Sequence, residues 1–150
     1  MKQIARCYLV SLLLALLPAS FASAKSADEA MGADLWGEAL AAKAAHQERI
    51  KNDDMMIVID YGKHSGEPRF FLIDMTTMQA EAFLVSHGRG SDADHDGIAD
   101  TFSNVMGSKM TSLGTYVTAE TYYGKHGLSL RLDGLDKENS RARDRAIVIH

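Results

Sequence analysis

The spacing of apolar residues changes character once along this chain. Over residues 34–50, DLWGEALAAKAAHQERI, the positions Leu35, Ala39, Leu40, Ala42 and Ala45 recur at roughly helical spacing, and Asp34 stands where a cap would. One amphipathic helix is expected there. Beyond it the apolar runs become short and β-rich: residues 55–61 (MMIVIDY), 69–75 (RFFLIDM) and 81–87 (EAFLVSH), separated by glycine, proline and polar turns. A long polar stretch, 88–112, follows, of a length that compact domains rarely carry without a use for it. Three more strands are expected at 113–119, 128–132 and 146–150, with a short second helix around 137–145. The sum is a mainly β (α+β) domain with an N-terminal helix.

Composition fits this picture. The chain has 150 residues, 46% of them hydrophobic, which suits one soluble domain. Its first residues are expected to lie outside that domain. Lys2 and Arg6 precede an apolar run from Leu12 to Leu17, and Ala22-Ser23-Ala24 has the small residues that signal peptidase needs, so 1–24 reads as a leader cleaved after Ala24. The run is too short to span a bilayer, so no stable membrane anchor is expected after cleavage, and Cys7 lacks the small residues that lipoprotein processing requires. The expected organisation is a leader over 1–24, a helical segment over 25–54 and a domain over 55–150, in a periplasmic or secreted protein.

Losing Lys2 and Arg6 moves the formal charge from −4 to −6. No basic run remains that could displace counterions from a nucleic acid, so none is expected as a partner. Cys7 is the single cysteine, and the expected mature chain therefore has no disulfide, no thiolate metal site and no thiol nucleophile.

Two features in the second half carry chemistry. SDADHDGIAD sets Asp92, Asp94, Asp96 and Asp100 around Gly97 in the order D-x-D-x-D-G-x-x-D. A hard cation such as calcium wants carboxylates at alternate positions, a glycine for the turn and then a backbone carbonyl, here that of Ile98. The twelfth position holds Ser103 instead of a bidentate glutamate, and a solvated turn whose aspartates bond their own backbone is the other reading. Of the six histidines, His46, His64 and His95 read as surface residues, whereas His87, His126 and His150 sit beside a glycine or at a strand end. Spacing alone does not rank those three.

The blocks VSHGRGSD, DTFSN, GSKMTSLGTYVTAETYYGKHGLSLRLDGLD and RAIVIH, preceded by IVIDY and PRFFLIDM, resemble in order the murein L,D-transpeptidase catalytic domain family, the YkuD-like group. The likeness runs from about Met55 to His150. SLGTYVT is similar to the family's threonine-proline-x-glycine-x-phenylalanine signature, with Leu113 and Tyr116 replacing proline and phenylalanine. The resemblance implies a β-sandwich-like domain with a cleft, and a cysteine thiolate that attacks a peptidoglycan stem tetrapeptide, expels its terminal D-alanine and passes the acyl group to a second stem. Its partners would be peptidoglycan stem peptides, and no cofactor would be required, with calcium at the acidic loop the one addition considered.

In that family a histidine closes an I-x-I-H strand, and His150 matches it as the catalytic imidazole. The family's cysteine lies further downstream, so the chain is expected to be the N-terminal part of the domain, incomplete at its C-terminus and inactive as it stands. His87, Arg89, Ser103, Asn104, Ser108, Ser112 and Gly114 fall in the matching blocks, and the resemblance places them around the cleft as substrate-positioning or loop-bracing groups. Two other classes stay open: a non-catalytic periplasmic protein binding peptidoglycan or calcium, and a hydrolase using a serine of the long loop, for which no triad order or nucleophile elbow speaks.

Overall fold

The computed structural model describes residues 25–150; the leader expected over 1–24, with Cys7, lies outside the described residues. The described chain begins in a strand, β1 (Lys25–Ser26), which runs straight into helix α1 (Ala27–Met31). Ser26-Ala-Asp-Glu29 is a helix-start signature, and the Glu29 carboxylate accepts the Ser26 N–H at 3.3 Å. Gly32, at φ +92°, then breaks the helical path, and α2 (Ala33–Ala45) starts after it. The expected single helix over 34–50 is corrected accordingly. Gly32 precedes the first helical residue in place of Asp34, and the helix stops at Ala45, followed by a 3-10 turn at Gln47–Arg49. Its inward face consists of Leu35, Trp36, Ala39, Ala42, Lys43 and His46, all half-buried, while Leu40 faces solvent. No residue of α2 is buried outright, so the amphipathic stripe is shallower than the sequence suggests.

A four-stranded antiparallel sheet follows, in the order β1-β4-β3-β2, with β2 Met55–Ile59, β3 Phe70–Asp74 and β4 Gln79–Phe83. Phe71 and Ile73 alternate inward on β3 and meet Val58, Ala80, Ala27 and Met31. Leu35, Trp36, Ala39, Met56 and Met75 pack against this cluster, so the core lies between the first sheet and the N-terminal helices. β4 lies earlier than the expected 81–87. The Asp74 carboxylate accepts the N–H groups of Thr76 and Thr77 at 2.8 and 3.1 Å, and Met78 at φ +57° completes a tight turn, so pairing resumes at Gln79. The ladder ends near Phe83 because Pro68, ahead of β3, has no N–H to continue it.

The second sheet is β5-β6-β7, again antiparallel: β5 Tyr116–Gly124, β6 Gly127–Gly134 and β7 Val148–Ile149. β5 and β6 run longer than the sequence suggests, with a register shift between Thr118 and Thr121. β7 is shorter than the expected 146–150, because Ala146 at φ +54° belongs to a turn in which the Ile147 N–H bonds the Ala142 carbonyl at 3.0 Å. In place of a helix over 137–145 there is a 3-10 turn, Lys137–Asn139, and further turns. Two sheets and few helices make the described chain mainly β. No described helix is long and apolar enough to cross a membrane.

Candidate active site

The β5–β6 connection is a two-residue turn, Lys125-His126, closed by the pairing of Gly124 with Gly127. Gly127 has φ +85°, which a side chain would oppose. On the other flank of β6 the register pairs Leu130 with Ile149, so the next residue of that strand, His150, arrives beside the start of β6. The hairpin tip and the strand end therefore meet. The His126 and His150 rings stack with centroids 4.6 Å apart and planes inclined by 19°. They open on a groove of about 340 Å³ whose other walls include Tyr122, Lys125, Ser129 and Val148. Among the described residues, no Asp or Glu side chain lines it. An imidazole at a groove edge can take a proton from a nucleophile or give one to a leaving group, and Lys125 places a cation nearby.

The remaining expected site residues lie elsewhere. Ser103, Asn104 and Ser108 sit where the long loop docks on the approach to β7. Arg145 donates to the carbonyls of Ser103 (2.6 Å) and Met110 and reaches the Ser108 hydroxyl at 3.4 Å. The Asn104 amide donates to the Lys137 carbonyl and contacts the Ser140 hydroxyl, both at 3.1 Å, and its oxygen accepts the Arg141 N–H at 3.2 Å. Ser112 is buried against Tyr116, hydroxyl to hydroxyl at 2.7 Å. Gly114, at φ +114°, leaves room for the side chains of Asp136 and Asn139, which a Cβ there would meet at 2.7 and 2.8 Å. Arg89 is exposed in a 3-10 turn at Arg89–Ser91. None of these lines the groove.

His87 has no ring nitrogen to spare. Arg69, fully buried, can only donate, so His87 Nδ1 accepts from it at 2.8 Å and the ring proton belongs on Nε2, which faces the Asp92 carboxylate at 3.2 Å. Asp92 in turn accepts the N–H groups of Asp96 (3.1 Å) and Gly97 (3.0 Å). Burial is the largest influence on this carboxyl and raises its pKa. The Gly97 N–H, His87 and the backbone of His95 and Asp96 together outweigh it, and the group titrates below its ordinary value.

The acidic loop is thus wound by its own backbone. Asp96 also accepts the Ile98 N–H at 2.8 Å, so Ile98 enters the turn through its amide. The oxygens of Asp92, Asp94 and Asp96 nevertheless all lie within 4.8 Å of one another, a three-carboxylate corner that a hard cation fits in donor type; Asp100 does not join it. Gly97 is held at φ +90° with the His64 ring against it.

Three residues with structural weight were not singled out from the sequence as site candidates. Arg69 ties residues 63, 85 and 87 together through the Lys63 carbonyl (2.7 Å), the Val85 carbonyl (3.1 Å) and His87. Asp136 accepts the Thr115 N–H at 2.5 Å and a bond from His46 Nε2 at 2.9 Å, joining the end of α2 to the second sheet. Asn139, fully buried, donates to the Thr115 carbonyl at 2.8 Å and accepts the Asp136 N–H at 2.9 Å. The D-x-x-N spacing of Asp136 and Asn139 was the one local signal available for the last two.

No curated protein and no solved structure matches this chain. A family model described as the L,D-transpeptidase catalytic domain matches residues 27–150, which includes strands β2 to β7, the acidic loop and the His126–His150 groove. With a match over most of its length, the chain belongs to the L,D-transpeptidase catalytic domain family.

Proposed function

We propose that this domain handles peptidoglycan stem peptides in an exported, periplasmic or secreted protein, with the groove beside His150 receiving the stem. The single observation that carries the reading is the position of His150: it directly follows β7, as in the family's I-x-I-H strand, and opens on a groove that no described Asp or Glu side chain lines. Acyl transfer in the family needs a thiolate activated by an imidazole. His150 supplies the imidazole. The chain's single cysteine is Cys7, in the proposed leader, so we infer that the chain as given binds stems without acylating itself.

Isothermal titration with a murein tetrapeptide tests the reading. Binding is expected, with about a tenfold loss on His150→Ala, the effect of one hydrogen bond of roughly 1.4 kcal/mol. Intact mass after incubation with a carbapenem or with muropeptides should show no adduct. Absence of tetrapeptide binding, or affinity indifferent to His150, would overturn the proposal.

A second reading rests on the carboxylate corner of Asp92, Asp94 and Asp96: a non-catalytic wall- or calcium-binding protein. Calcium held there would stiffen the 88–112 loop. Calorimetry with calcium on the unaltered chain and on an Asp94→Ala, Asp96→Ala variant separates the two, because this reading requires heat that the variant loses.

A further inference from the structure

We propose that His126 is the residue that positions His150. The inference rests on the reading of His150 just given and concerns what aims its ring. A catalytic imidazole is ordinarily oriented by a hydrogen-bond acceptor on its second nitrogen. Among the described residues, the rings of His46 and His87 have such bonds, to Asp136 and Asp92, while His64 only accepts the Gly66 N–H and His150 has no ring hydrogen bond. The pairing of Leu130 with Ile149 and of Arg131 with Val148 sets the backbone that leads to His150, and not the plane of its ring. The contact that defines the plane of its ring is the face of His126, 4.6 Å away. A stack fixes the plane and leaves both ring nitrogens at the edge, open to a nucleophile and to water.

The mount is suited to that task. His126 projects from a two-residue turn that admits little variation, between Gly124 and Gly127, and the turn is anchored by β6, the middle strand of its sheet. Gly124 packs against the Tyr122 ring, where a Cβ would come within 2.9 Å, which ties the turn to the groove wall. The short sequence GKHG therefore places one imidazole so that it can hold another.

The test uses the full chain with labelled histidines, read by NMR of the ring carbons, nitrogens and attached protons. In His126→Ala the His150 ring signals should lose their ring-current displacement and move to those of a free histidine. In His126→Phe, which keeps a flat ring, the displacement should return. Tetrapeptide affinity should weaken about threefold to tenfold in His126→Ala and recover in His126→Phe. The backbone amide signals of β6 confirm that each variant is folded, with Tyr122→Phe, at the same groove, as a control that leaves His150 in place. Unchanged His150 signals in folded His126→Ala, or no recovery with phenylalanine, overturn the inference. If His150 loses and regains its displacement as described, yet no tetrapeptide binds the unaltered chain, the positioning role stands and the murein reading falls.

Discussion

Arg69 shows how a single residue can organise a region without announcing itself. In PRFFLIDM it reads as a polar strand margin, yet its guanidinium is fully buried, with two carbonyls and His87 as partners. No carboxylate touches it directly; the nearest compensation passes through the His87 ring to Asp92. Arg69→Ala should therefore lower stability by about 3 kcal/mol or more in urea denaturation, since the Lys63 and Val85 carbonyls and the His87 ring lose their buried donor together. A loss under 0.5 kcal/mol would contradict this. Gly114→Ala is expected to cost about 1–3 kcal/mol, because φ +114° opposes a side chain and Asp136 and Asn139 occupy its place. Burial and partners of this kind depend on residues 6 to 25 positions away, which periodicity does not register. The sequence did mark His126 and His150 as worth weighing, and the stack shows why the turn and the strand end belong together.

At the scale of elements, apolar alternation was a sound guide to where strands exist and a poor one to where they stop. Three of the boundaries shifted for local reasons: the Asp74 turn, Pro68 and the left-handed Ala146. The helix was legible from its apolar repeat, but its start was hidden by Gly32, which supplies no capping side chain. Cross-element clasps were invisible in the sequence. The Asp136 carboxyl is lowered first by the Thr115 N–H, against desolvation, and further by His46. A lowered carboxyl stabilises the fold fully above the ordinary carboxylate range, about 3.9, and that contribution disappears as pH falls through the folded value. Asp92 acts in the same direction. Unfolding midpoints should thus be flat above about pH 5 and fall in acid, with a shallower fall in Asp136→Asn, whose amide oxygen still accepts the Thr115 N–H. Arg145→Met should leave both sheets intact but speed amide exchange in residues 103–111 by about tenfold or more, since it removes the bonds to Ser103, Ser108 and Met110.

For the molecule as a whole, the proposed stem-binding groove lies at one end of the second sheet. The chain carries a formal charge of −4, yet among the described residues the groove is lined by Lys125, His126 and His150 and by no Asp or Glu side chain. That local reversal suits an anionic ligand such as a peptide ending in a free carboxylate. Of the expected substrate-positioning residues, taken from the family's blocks, Ser103, Asn104 and Ser108 meet the approach to β7. Order in sequence identified the blocks, but which of them face the groove is a matter of how the long loop folds back.

The most direct measurement follows the histidine ring signals of the full chain during titration with a murein tetrapeptide. The four best-placed histidines act as internal reporters. His126 and His150 should move together and saturate together, while His87, locked between Arg69 and Asp92, and His64, against Gly97, stay still. Movement of His87 or His64 with His150 unmoved would contradict the placement of the site, and so would a titration in which no histidine responds.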